Sequence, residues 1–111
     1  MTPLRRQRAA IVGLSGMALT APEAEAWRET PPVGAILFGR NIENPAQLRA
    51  LIADIRTELG EGAPVLVDQE GGRVARLRAP HWPEFPAAAA FGDLPREGSE
   101  DAARANAALL G

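Results

Sequence analysis

Apolar residues in this chain fall into two kinds of pattern. Three runs are short and unbroken: Ala9-Ala10-Ile11-Val12-Gly13-Leu14, Val33-Gly34-Ala35-Ile36-Leu37-Phe38 and Ala63-Pro64-Val65-Leu66-Val67. Strand-length runs without apolar–polar alternation suit strands covered on both faces in a parallel sheet. They predict strands over residues 10–14, 33–38 and 63–67. The other pattern is periodic: Leu48, Leu51, Ile52, Ile55 and Leu59 recur at helical spacing, and Arg49, Asp54, Arg56 and Glu58 fall largely outside that stripe. Gly60 and Gly62 follow where a helix C-terminus favours glycine.

The polar residues between these runs mark helix starts. Thr20-Ala21-Pro22-Glu23 has capping-box spacing, with proline in the first turn where its missing donor costs nothing, and this helix ends before Pro31-Pro32. Asn44-Pro45-Ala46-Gln47 repeats the logic at the head of the periodic stripe. After Arg76 the chain turns rich in proline and alanine over 79–90, with a short helical turn over 87–91. A last helix is capped by Ser99, with Glu100 and Asp101 in its first turn, and runs to Leu109-Leu110. Strand, helix, strand, helix, strand with short connections means successive βα units, hence an α/β fold.

Composition narrows the function classes. A chain of 111 residues has room for one domain or part of a larger one. All 12 basic residues are arginine, yet they are scattered and offset by 14 acids to a net charge of −2, so no nucleic-acid partner is expected. Without cysteine there is no disulfide, thiolate metal site or thiol nucleophile, and no cofactor or metal is called for. No apolar run approaches the roughly 18 residues of a membrane span. Arg5-Arg6-Gln7-Arg8 before Ala9–Ala21, with Ala24-Glu25-Ala26 as a cleavage-like site, also reads as a secretion leader, although Gly13, Ser15, Gly16 and Thr20 interrupt it. Gly13-Leu14-Ser15-Gly16 is too short a glycine pattern for a phosphate loop, and His81 lies alone among prolines and is given no catalytic role.

The candidate chemistry is concentrated in Asp68-Gln69-Glu70-Gly71-Gly72-Arg73-Val74-Ala75-Arg76, directly after the third apolar run. Ligands of α/β folds bind beyond the carboxyl ends of parallel strands, so charge placed there meets substrate rather than core. If the strand stays extended, Asp68 and Glu70 point to one side and face one ligand. Two carboxylates serve glycoside hydrolysis, or hold sugar hydroxyls without reacting. The competing reading is structural: Asp68 caps a turn, Glu70 pairs with Arg73, and Gly71-Gly72 reverses the chain.

The motif Asp68-Gln69-Glu70-Gly71-Gly72-Arg73-Val74 followed two positions later by Arg76, with Gly34 through Asn41, Pro45-Ala46-Gln47-Leu48, Gly13-Leu14-Ser15-Gly16 and Leu19-Thr20, resembles the N-terminal part of bacterial β-N-acetylhexosaminidases of glycoside hydrolase family 3. The resemblance covers nearly the whole chain, and makes residues 1–111 the N-terminal part of a catalytic barrel domain. It implies the first three or so βα units of a TIM-type (β/α)8 barrel, incomplete in this chain. It also implies a cytoplasmic enzyme that removes terminal N-acetylglucosamine from muropeptides in peptidoglycan recycling, retaining configuration through a covalent glycosyl–aspartate. By the same resemblance, Asp68 and Arg76 are substrate-binding residues, and Glu70 and Arg73 are supporting ones that shape the loop as an ion pair. The Asp-Gln-Glu-Gly-Gly-Arg form points to this branch rather than to relatives acting on glucosides or xylosides.

The family's Lys-His contact, its His–Asp acid/base and its nucleophilic aspartate are expected beyond Gly111, so no residue here is assigned a catalytic role. An open three-stranded fragment would leave a strand edge and apolar faces uncovered, which favours association. Two other readings stay open: a non-catalytic carbohydrate-binding or regulatory fragment, and a small doubly wound domain of unrelated function.

Overall fold

The computed structural model describes residues 6–111, in two compact units that divide between Val67 and Asp68. Arg5, part of the charged start of the leader reading, lies outside the described residues. The apolar stretch of that reading forms a strand and a loop, and its cleavage-like Ala24-Glu25-Ala26 lies within a helix.

The first unit is a parallel three-stranded sheet with two crossover helices. Strand β1 (Arg8–Val12) leads to helix α1 (Ala21–Glu29), strand β2 (Pro32–Leu37), helix α2 (Pro45–Leu59) and strand β3 (Val65–Val67), with β2 central. The first strand lies two residues earlier than its apolar run predicts. Leu14 leaves the ladder to bury itself in the core, where it joins Trp27, Ala35, Leu37, Leu51 and Ile55. In α2, Leu51 and Ile55 are the buried centre of the predicted stripe, with Leu48, Ile52 and Leu59 at its margins.

The caps explain where the helices start. Thr20 Oγ1 accepts the Glu23 amide at 3.3 Å, and the Glu23 carboxylate accepts the Thr20 amide at 3.1 Å, closing the predicted box. Glu23 also takes the Ser15 amide and hydroxyl, which ties the loop after β1 to the helix start. Burial works to raise its pKa, but the bonds from Thr20 and Ser15 outweigh that, and the carboxyl is held below its usual range. At α2, Asn44 caps the Gln47 amide at 2.8 Å. Gln47 itself does not reach back to the Asn44 amide: its oxygen accepts from Glu43, one residue earlier, and its amide group donates to the Met17 and Asn41 carbonyls. Arg28 and Glu58 join α1 to α2 through a two-pronged ion pair at 2.6 and 2.9 Å.

The sheet is not covered on both faces. Ala35 and Leu37 point to the core with both helices, whereas register places Ile36 beside Leu66, and Ile11 beside Gly34, on the opposite face. Ile11 and Leu66 there are 44% and 42% exposed. The β2 run is unbroken because both faces are apolar, but only one carries helices.

The second unit holds two short antiparallel strands, β4 (Gln69–Gly71) and β5 (Val74–Ala75), then helices α3 (Ala88–Gly92) and α4 (Arg96–Leu110). Helix α4 is interrupted at Glu97 and Gly98, the latter at φ +84°. Ser99 is therefore not the cap expected of it. A turn already precedes it, and its hydroxyl donates to the Arg96 carbonyl at 3.1 Å.

Candidate functional site

The nine residues from Asp68 to Arg76 are a hairpin, not the continued end of a strand. Gln69 pairs with Ala75 and Gly71 with Val74, so Glu70 is an extra residue on its strand, a bulge. Gly72 and Arg73 make the reversal, and the positive φ of Gly72, +58°, matches the first central residue of a type II′ turn. Gly71, at φ +86°, packs so closely on the Pro86 carbonyl that a Cβ there would collide with it. A Cβ on Gly72 would come within 2.8 Å of the Ala87 side chain. The Gly72 amide also donates to the Phe85 carbonyl at 2.8 Å. The glycine pair thus reverses the chain and seats the 85–87 segment against the turn.

Hairpin register accounts for the spacing of the motif. One step outward from the Gln69–Ala75 pair stand Asp68 and Arg76, opposite one another, and Arg76 Nη2 lies 3.7 Å from Asp68 Oδ2. Both side chains reach solvent, at 43% for Asp68 and 29% for Arg76. A separation of 3.7 Å is an ion contact rather than a tight hydrogen bond. An accessible carboxylate beside a guanidinium offers acceptors and donors together, the complement of sugar hydroxyls, which do both.

The supporting residues fall differently from expectation. Among the described residues there is no ion pair between Glu70 and Arg73; the bulge and turn separate their roles, and the ionic partner within the motif is Asp68 with Arg76. Nor do Asp68 and Glu70 form a two-carboxylate site on one extended strand, because β3 stops at Val67 and Glu70 sits exposed in the bulge. Arg73 contributes its carbonyl, which accepts from Arg78 Nη2 at 2.8 Å, while Arg78 Nε donates to the Ala75 carbonyl.

Two residues carry more than the sequence shows. The Gln69 side-chain oxygen accepts the Arg76 and Leu77 amides at 2.9 and 3.0 Å, and its nitrogen donates to the Leu77 carbonyl at 2.9 Å. In the first unit, fully buried Asn41 donates to the Leu14 and Gly16 carbonyls and accepts the Phe38 amide, knotting the loops that follow β1 and β2. Next to it Arg40 donates to the Leu14 carbonyl and lies 5.0 Å over the Phe38 ring. Both amides were visible only as polar residues at strand ends, and their backbone partners leave no pattern in the sequence.

A cavity of about 160 Å³ in the second unit is lined by Gln69, Ala75, Leu77, Arg78 and Phe85 among others; Asp68 and Arg76 do not line it. No group of three or more His, Cys, Asp or Glu side chains converges among the described residues as a metal site requires. His81 makes an edge-on contact with Trp82. Among the described residues no helix is long and apolar enough to cross a membrane.

No family model matches the chain. Curated relatives do: the β-hexosaminidase of Bordetella avium is 42% identical over 84 residues, which is 76% of this chain and 24% of that protein. That of Haemophilus ducreyi is 38% identical over 90 residues, 81% of this chain and 26% of that protein. The chain therefore spans about a quarter of the length of the curated relatives it matches. Among solved structures, NagZ from Neisseria gonorrhoeae in complex with N-trifluoroacetyl-D-glucosamine superposes with a TM-score of 0.77 at 28% identity, covering 90% of this chain and 29% of that one. Native NagZ from the same organism gives the same TM-score and identity. In sequence and in fold, the chain corresponds to the N-terminal portion of the glycoside hydrolase family 3 β-N-acetylhexosaminidases.

Proposed function

We propose that residues 1–111 are the N-terminal part of a β-N-acetylhexosaminidase barrel domain and hold the sugar of a terminal β-linked N-acetylglucosamine in a muropeptide, within the cytoplasm. The observation that carries the reading is the accessible Asp68–Arg76 pair, set face to face by hairpin register in a chain 42% identical to a β-hexosaminidase. Asp68 accepts hydrogen bonds from sugar hydroxyls, and Arg76 donates to sugar oxygens. Glu70 and Arg73 shape the hairpin by its bulge and turn. No residue of this chain acts as nucleophile or acid/base; the resemblance assigns those steps to other segments.

Placement of the helices supports the barrel over a doubly wound sheet. A doubly wound domain sets helices on both faces of its sheet. Here α1 and α2 share one core on the Ala35–Leu37 face, as on the outside of a barrel, and Ile11, Ile36 and Leu66 line the other, as barrel-interior residues do. Completing such a barrel takes eight strands and ~250 residues.

The test is an assay of the purified 111-residue chain with a chromogenic β-N-acetylglucosaminide. The expected outcome is no turnover above buffer. Robust turnover would show that the chemistry resides in this chain and would overturn the division of labour proposed here.

A further inference from the structure

Strands β4 and β5 together hold only five residues, and so short a two-stranded ladder is marginal by itself. The strand that carries Arg76 runs on past its last rung. There the Gln69 carboxamide takes over: its oxygen receives the Arg76 and Leu77 amides, and its nitrogen donates to the Leu77 carbonyl. One side chain thus supplies three bonds that a neighbouring strand would otherwise make. It lies between Asp68, its chain neighbour, and Arg76, whose backbone it grips.

We infer that Gln69 is the positioning residue for sugar recognition: its carboxamide fixes the backbone from which Arg76 reaches Asp68, and so sets the affinity for N-acetylglucosamine. The inference rests on the sugar-holding reading above. A carboxamide is specifically required, since the grip needs an acceptor for two amides and a donor for a carbonyl on one group. Glutamate, of the same shape, keeps the acceptors but turns a charged oxygen toward the Leu77 carbonyl and adds a third negative charge between Asp68 and Glu70.

The test uses the full ¹⁵N-labelled chain, titrated with N-acetylglucosamine and followed by amide shifts and amide exchange. The variants are Gln69→Glu, Gln69→Ala, Arg76→Ala and the Gln69→Ala/Arg76→Ala double. Gln69→Ala is expected to weaken binding by about 10-fold and Gln69→Glu by at least about 5-fold. Exchange should quicken at Arg76 and Leu77 while the β1–β3 amides keep their protection. With Arg76 already alanine, losing Gln69 should cause no further loss, because its effect passes through Arg76. Wild-type affinity in both Gln69 variants overturns the inference and leaves the sugar-holding reading intact. An equal extra loss in the Arg76→Ala background overturns it too, by showing a merely structural role. Failure of the wild-type chain to bind refutes the sugar-holding reading itself, and the inference with it.

Discussion

Asn41 shows how much a single polar side chain can organise without contributing to chemistry. It is fully buried, and three backbone groups depend on it. Asn41→Ala leaves the Phe38 amide and the Gly16 carbonyl without that partner, and is expected to lower unfolding free energy by about 2–3 kcal/mol, measured by urea denaturation. The acid and the arginine of the candidate site were legible in the sequence, because the motif carries them at fixed spacing. Their meeting was not: Asp68 and Arg76 face each other through a hairpin with a bulge, whereas a strand-end reading pairs Asp68 with Glu70. The roles of Gln69 and Asn41 are not legible in the sequence for a different reason. An amide that binds backbone groups far along the chain produces no periodicity and no charge pattern, so only the folded geometry reveals its work.

At the level of elements, local signals read well and relayed ones did not. The Thr20–Glu23 box closes within four residues, so the sequence contains everything needed to predict it. Gln47 and Ser99 occupy equally good cap positions, yet each is drawn to other backbone groups, Gln47 by the neighbouring loop carbonyls and Ser99 by the turn before it. The α1 cap also gives the fold a defined pH response. Its bonds hold the Glu23 pKa below the ordinary 4.5, so their stabilisation is complete above that value and is lost as pH falls through the lowered one. Denaturation followed from about pH 6 to about pH 3 should therefore show a steeper loss of stability for the wild type than for Glu23→Gln, which cannot titrate. Thr20→Ala should cost about 1 kcal/mol at neutral pH in the same experiment. Matching slopes for wild type and Glu23→Gln would remove the carboxylate from this account.

For the molecule as a whole, the order β1-β2-β3 followed from βα logic, but which faces are covered did not. An unbroken apolar run looks the same whether its second face meets helices or the inside of a barrel. Only the register shows that Ile11, Ile36 and Leu66 lie opposite the helix-bearing face. The proposed barrel segment accords with an apolar face of this kind and with a match to only about a quarter of the length of its relatives. Under the proposed function, such a segment holds a sugar by itself. Calorimetric titration of N-acetylglucosamine into the chain and into Asp68→Ala tests it directly. Wild-type binding is expected to be weak, with Kd on the order of 1 mM, and binding by Asp68→Ala at least ~10-fold weaker. No binding by the folded wild type, or equal binding by the variant, would contradict it.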